Sequence, residues 1–167
     1  VKCFRLFFLP VILSCFLLEQ SAPAQTPYLD SLKNELKKNE APGPHQIDIL
    51  VELGNNRRNS AHQEAESYYR RAYQLAGQTN DAFRQGLAMG GVGVIRYYEG
   101  KFDSAVFYLD LADSFYTLSG SQPAKESAAT NKTDIGNVEL ARGNYVAATR
   151  YYLAAIQTME QSRADNK

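Results

Sequence analysis

Thiol chemistry is almost missing from this chain. Of its 167 residues only Cys3 and Cys15 are cysteines, and both fall in an N-terminal stretch that reads as a leader. Without that leader, no disulfide, thiolate metal site or cysteine nucleophile remains. Charge of one sign is lacking as well. Eighteen Lys and Arg offset 18 Asp and Glu, and the basic residues do not cluster, so no field is present to hold nucleic acid. Histidine is scarce: His45 and His62 are the two, neither has a neighbour at metal-ligand spacing, and both read as surface residues near helix starts. No histidine is placed to activate a serine or threonine. The carboxylate pairs Glu64 with Glu66 and Asp110 with Asp113 read as solvated helix faces rather than acid–base machinery. Catalytic residues, cofactors and metals are therefore not expected. Strand-type alternation is also absent, because the Val and Ile positions carry helical spacing. With 44% hydrophobic and 22% charged residues, the chain nevertheless has the composition of a foldable protein of about one domain.

The first residues read as an export signal. Lys2 and Arg5 flank the start of an apolar run from Phe4 to Leu18, and Ala22-Pro23-Ala24 supplies a small-x-small end. A run of this length is short for a helix crossing the bilayer, which takes about 20 residues. Residues 1–24 are thus expected to be a secretory signal cleaved after Ala24. Two alternatives stay open: a lipoprotein signal acylated at Cys15, against which the apolar Phe16-Leu17-Leu18 speaks, and an uncleaved anchor. Each places the rest of the chain outside the cytoplasmic membrane, and the periplasm is the expected location. The first residue is Val1, which fits either an upstream stretch or a non-AUG start.

Self-comparison supplies the fold. Val92-Gly93, Gly100-Lys101-Phe102, Ala105, Leu109 and Ala112 share one skeleton with Ile135-Gly136, Gly143-Asn144-Tyr145, Ala148, Tyr152 and Ala155. A looser copy precedes them: Leu53-Gly54, Ala65, Tyr69 and Ala72, with Ser60 in place of the turn glycine. The alanines at 65, 105 and 148 give a period of 40 and then 43 residues. Two alanines seven apart lie on one helix face and form a flat strip against a partner helix. The first glycine of each copy permits close approach, and the second ends a helix in the left-handed conformation. On that register Gly90-Gly91-Val92-Gly93 lies inside a helix and is not a phosphate loop. The aromatics Tyr69, Tyr108, Phe115, Tyr151 and Tyr152 are expected to fill the space between successive pairs.

The resulting expectation is an all-α, right-handed solenoid of three helix pairs plus a short leading helix. That leading helix is expected at 28–38, within a 25–43 segment whose Ala41-Pro42-Gly43-Pro44 breaks the chain. The pairs are expected at 45–58 with 61–77, 81–99 with 102–118, and 122–142 with 145–162. They form a repeat domain over 44–162, divided at about 45–79, 80–120 and 121–162. Gly120 suits a helix stop and Ser121 before Pro123 a helix start. Residues 163–167 read as a tail or the beginning of a further copy.

This skeleton resembles the tetratricopeptide repeat family, whose period is about 34 residues; the longer period here is similar to its longer-helix variety. Leu29-Asp30-Ser31-Leu32-Lys33-Asn34-Glu35-Leu36 and Leu75-Ala76-Gly77-Gln78-Thr79-Asn80-Asp81 resemble periplasmic arrays that precede histidine kinases or helix-turn-helix regulators in Bacteroidetes-type bacteria. The resemblance implies a non-catalytic scaffold that binds a protein or peptide along a concave groove lined by the first helix of each pair. Carried over by register, the groove positions are Val51, Glu52, Asn55 and Arg58, then Gly90, Val94, Tyr97 and Tyr98, then Thr133, Asp134, Asn137 and Leu140, with the two tyrosines as anchors. The carboxylate clamp of chaperone-type arrays is missing. Asn55 matches one of its positions, but Val94 stands where a second asparagine belongs, and Val51, Thr130 and Asp134 stand where basic residues belong. The last pair has no polar cap, so its face near Ile135, Leu140 and Ile156 is expected to take a further repeat or to self-associate. A membrane link is expected only through an uncleaved signal, a lipidated Cys15 or a downstream segment. The alternative function is the sensory input portion of a membrane-anchored signalling protein.

Overall fold

A computed structural model describes residues 26–38 and 43–165. The leader, both cysteines and Ala41-Pro42 lie outside the described residues. Seven helices follow one another: α1 Thr26–Lys38, α2 Pro44–Arg57, α3 His62–Gln78, α4 Ala82–Tyr98, α5 Phe102–Ser119, α6 Gln122–Ala141 and α7 Tyr145–Ala164. No strand occurs among the described residues, and every helix end lies within two residues of the position that the spacing predicts. None of these helices is long and apolar enough to cross a membrane.

The turns show why the pairs close. After α4, the Lys101 amide donates to Arg96 O at 2.9 Å and the Gly100 amide to Tyr97 O at 2.9 Å. After α6, Asn144 and Gly143 make the same two bonds to Glu139 O and Leu140 O. This reciprocal arrangement satisfies two orphan carbonyls and needs a left-handed residue between helix and turn. Gly100 and Gly143 supply it, with φ of 71° and 81°. The looser first copy closes α2 differently: Ser60 and Ala61 amides both return to Arg57 O, without a positive φ, which is why serine suffices there. Gly120 ends α5 with φ 59°, and the Ser121 hydroxyl accepts from the Ala124 amide to start α6.

Within each pair the alanine strip packs on the facing helix. Ala65, Ala72, Ala105 and Ala112 are wholly buried. The glycines one helix back accept large side chains: a Cβ on Gly54 would stand 2.6 Å from the Tyr69 ring, one on Gly93 2.8 Å from Leu109, and one on Gly136 2.5 Å from the Tyr152 ring. The aromatic expectation is thereby refined. Tyr69 and Tyr152 belong to the strip itself; Tyr69 also fills the space to the next pair, against Gly91, and Phe115 does so by meeting Tyr73 edge to face, 5.8 Å apart. Tyr108 lies beneath the Arg96 guanidinium at 6.0 Å, and Tyr151 packs on the cluster of Val94, Leu109 and Ile135.

Two expected surface features are more structured than predicted. Glu66, read as solvated, accepts from Arg70 and from Arg96 of the next pair, each at 2.6 Å, because α3 and α4 bring opposite charges together at the junction. Glu64 pairs with Lys33 and Arg57. His45 lies 2.7 Å from a Glu35 oxygen, and the His62 ring stacks at 6.3 Å on Tyr98.

The stacking of the pairs is asymmetric. The first helices α2, α4 and α6 touch one another in sequence, whereas no Cα of α3 comes within 8 Å of α5, nor any of α5 within 8 Å of α7. The first helices therefore form the inner, concave layer and the second helices splay outward, which is the curvature of a helical repeat.

Candidate functional site

The concave layer holds a cleft of about 160 Å³ between α2, α4 and α6. Val51, Asn55 and Arg58 line it from α2, Gly90 and Val94 from α4, and Asp134 from α6. A smaller hollow of about 50 Å³ continues it, bounded by Val94, Tyr97, Tyr98, Asp134 and Asn137. Asp134 and Val94 belong to both, so they sit where the two meet.

Three of the register-derived positions lie elsewhere. Glu52 is turned toward α1, accepting from the Tyr28 hydroxyl and from its own neighbour Asn56. Thr133 donates to Ala129 O and lines the opposite side of α6, facing α7. Leu140 stands 47% exposed near the end of α6 and borders neither hollow. Glu52 and Thr133 are one residue off the inner face, since 52 follows 51 and 133 precedes 134, and Leu140 lies a turn beyond Asn137.

Two groove asparagines are held by tyrosines from behind. The Tyr69 hydroxyl donates to Asn55 Oδ1 at 2.8 Å, and the Tyr152 hydroxyl to Asn137 Oδ1 at 2.9 Å. In the middle copy both partners change together: Val94 takes the asparagine position and Leu109 the tyrosine position, and they pack in one apolar cluster. Burial pushes the Tyr69 hydroxyl up to about 12, partly opposed by the nearby Arg58, so it stays a donor. The residue missing from a chaperone-type clamp is thus part of a paired exchange of a polar contact for an apolar one.

Four lining groups were not singled out from the sequence. Tyr116 continues the strip Ala105, Leu109, Ala112 at helical spacing and enters a socket at Gly86, where a Cβ would lie 2.5 Å from its ring. Its hydroxyl lies beside Gly90. Asn131 is 3% exposed. Its amide nitrogen donates to Leu109 O at 2.8 Å, and its Oδ1 has no partner. The carbonyl contact fixes the orientation of the amide, since a flipped side chain would set oxygen against oxygen. A signal for it existed: Asn131 lies four residues before the core Ile135, a register where an apolar residue is expected. The others are Leu87, one turn before Gly90, and Ser127, one turn before Asn131.

Electrostatically the site centres on Asp134. It makes no hydrogen bond or ion pair among the described residues, and burial pushes its carboxyl up to about 6, with Arg58 acting in the opposite direction. Glu64, Glu66, Asp48, Asp81, Glu99, Asp113 and Glu139, by contrast, each face a cation.

No family model matches the chain, and no curated protein matches it. Among solved structures it is similar to a Rap protein complexed with competence and sporulation factor, at TM-score 0.72 and 20% sequence identity. The likeness covers 84% of this chain and 40% of that one, so the chain spans well under half of the Rap protein's length. At this identity the likeness is one of fold, and the fold is a helical repeat of the tetratricopeptide type.

Proposed function

We propose that this chain is a non-catalytic scaffold that binds an extended peptide or protein segment along the concave face of α2, α4 and α6, outside the cytoplasmic membrane. The observation that carries this reading is the convergence of Val51, Asn55, Arg58, Val94 and Asp134 on one cleft that continues to Tyr97 and Tyr98. The solved neighbour is itself a complex with a factor, which agrees with a ligand-binding role for the fold. Tyrosines make good anchors because they bury a large ring at little entropic cost and keep a polar tip. Tyr98 is 47% exposed and already ordered by Tyr97 and His62. Selection from a random peptide display library, followed by titration of the selected peptides, tests this. Tyr98→Ala is expected to weaken them at least tenfold; undiminished binding in that variant would move the site elsewhere. Export rests on the leader, and amino-terminal sequencing of the protein recovered from a periplasmic fraction tests cleavage after Ala24.

A sensory input role in a longer signalling protein is the second reading, favoured by the outer side of the last pair. There Tyr152, Ala155, Ile156 and Met159 border an open apolar hollow of about 490 Å³ between α6 and α7. A following helix or a partner would cover it, as α4 covers the equivalent side of α3. Reading the gene beyond Lys167 separates the two: a stop codon there removes the second reading, and an apolar span of about 20 residues followed by a kinase or DNA-binding sequence supports it.

A further inference from the structure

We infer that the concave cleft is a cation pocket, built to take the side-chain ammonium of a lysine presented by an extended peptide, with Asp134 as its counter-ion. The inference rests on the groove reading above and adds the chemistry of the group captured.

The cleft holds acceptors without matching donors. Asp134 has no donor partner among the described residues, although most carboxylates of the repeats face a cation. Asn131 Oδ1 is a second acceptor without a partner, held in place by the bond from its own amide to Leu109 O. The Thr130 hydroxyl at the same cleft donates to Glu126 O at 3.4 Å, so it too presents lone pairs. Buried polar atoms such as Asn131 Oδ1 are satisfied in the great majority of folded proteins, and the half-buried Asp134 carboxylate is costly to leave without a partner. A group of acceptors left over therefore marks a place where a ligand supplies the donors. An ammonium supplies three on a slender stem, whereas a guanidinium is a broad planar fork.

The way in is narrow and is set by Gly90. A Cβ there would stand 3.4 Å from the Tyr116 hydroxyl and 3.8 Å from Asn131 Oδ1, so a side chain at this position would fill the path to both. No group facing Asp134 forms an ion pair with it among the described residues. Arg58 lines the same cleft from α2 and acts on it without a direct hydrogen bond, while Tyr97 and Tyr98 of α4 and Tyr116 of α5 bring hydroxyls rather than cations. Asp113 of α5 is matched by Lys132 at 3.1 Å, and the α7 hydroxyl of Tyr152 is engaged by Asn137.

The test uses the ¹⁵N-labelled full chain and two small probes, N-acetyl-lysine methylamide and its neutral isostere N-acetyl-norleucine methylamide. At pH 7.5 the lysine compound is expected to shift the amide signals of Gly90, Asn131 and Asp134 saturably, and the norleucine compound at least tenfold more weakly. Asp134→Asn, which keeps the shape, is expected to abolish the difference between the probes while its thermal transition stays at or above that of the parent. With the carboxyl at about 6, only about a tenth is ionised at pH 5.0, so the lysine affinity is expected to fall about tenfold there. Equal shifts from both probes, or a lysine response undiminished in Asp134→Asn, overturns the inference. The two readings fail separately. Display-selected peptides that need Tyr98 but bind Asp134→Asn as well as the parent would sink the cation pocket and leave the groove standing. Lysine-specific shifts that vanish in Asp134→Asn, without any peptide being selected, would keep the pocket and sink the peptide groove.

Discussion

Tyr69 and Tyr152 are the same device in two settings. Each enters a glycine socket on the helix before it and donates its hydroxyl to the asparagine following that glycine. Tyr69, however, is covered on its other side by the next pair, where a Cβ on Gly91 would stand 2.3 Å from its ring, and it is 0% exposed. Tyr152 has no following helix among the described residues and borders the open hollow instead. Four residues further along that helix, Ile156 is 56% exposed where its counterpart Tyr73 packs against the main core. A repeat unit thus builds half of a tyrosine's pocket, and its neighbour builds the other half. The cooperativity of such arrays comes from that division.

The largest expected effect tests this division at the first glycine. Gly54→Ala and Gly136→Ala both place a methyl against a tyrosine ring, at 2.6 Å and 2.5 Å. Tyr69, held between α2 and α4, has no direction in which to yield, so Gly54→Ala is expected to cost about 3 kcal/mol. Tyr152 can swing into the open hollow, and alanine is a better helix former than glycine by about 1 kcal/mol. Gly136→Ala is therefore expected to change stability by less than about 1 kcal/mol. Urea denaturation of both variants measures the difference; equal losses would mean that the last pair is as closed as the first.

A smaller contrast follows at the alanine strip. Ala72→Leu enters a site with 0% exposure among α2, α3 and α4 and is expected to cost about 1–3 kcal/mol by overpacking. Ala155→Leu, at the same place in the last copy, projects toward the open hollow and is expected to stay within about 0.5 kcal/mol. Circular dichroism melts compare the two. A substantial loss in Ala155→Leu would show that something already occupies the hollow.

These contrasts also show what the sequence made legible. Spacing alone located seven helices, because the small residues at 54, 65, 72 and their counterparts can recur only where helices touch closely. Six of the register-derived positions, Val51, Asn55, Arg58, Gly90, Val94 and Asp134, share the main cleft, since helical register carries from copy to copy. Glu52 and Thr133 lie one residue off that cleft, because neighbouring residues on a helix differ by about 100° in direction and a repeat template does not resolve that angle for an irregular period. Asn131 and Tyr116 escaped for another reason. Their importance depends on the gap left by Gly90 on a different helix, and no local pattern records a gap. The Tyr69–Asn55 and Tyr152–Asn137 contacts became visible only once both helices of a pair were in place, although the joint change to Leu109 and Val94 was written in the sequence.

Asp134 lies on α6, between the closed pairs and the open end, and its ionisation is expected to weaken the fold. Its folded pKa of about 6 lies above the ordinary carboxylate value, so between those values the folded state binds more protons than the unfolded one. Stability then falls as pH rises through that window, and the penalty is fully present above it. Asp134→Asn is expected to stabilise by about 1–2 kcal/mol at pH 7.5, after allowance for solvent reaching the cleft, and to have no effect near pH 3. Denaturation midpoints at the two pH values check this. A destabilising effect at neutral pH would mean that the carboxylate has found a partner.

The smallest contrast concerns the hydroxyls themselves. Tyr69→Phe removes the donor to Asn55 but leaves the ring sandwiched, so the loss is that of one partly buried hydrogen bond, about 1 kcal/mol. Tyr152→Phe removes the equivalent bond to Asn137 beside the open hollow, where water can replace the lost donor, and about 0.5 kcal/mol or less is expected. Replacing both members together, Tyr69→Leu with Asn55→Val, reproduces the combination that Leu109 and Val94 form in the middle copy. A coupling energy between the two substitutions, measured as a double-mutant cycle, should be favourable and of order 1 kcal/mol. Simple additivity would instead mean that the exchange in the middle copy is a coincidence of two independent positions, and that the pairing of the groove with the strip behind it carries no energy.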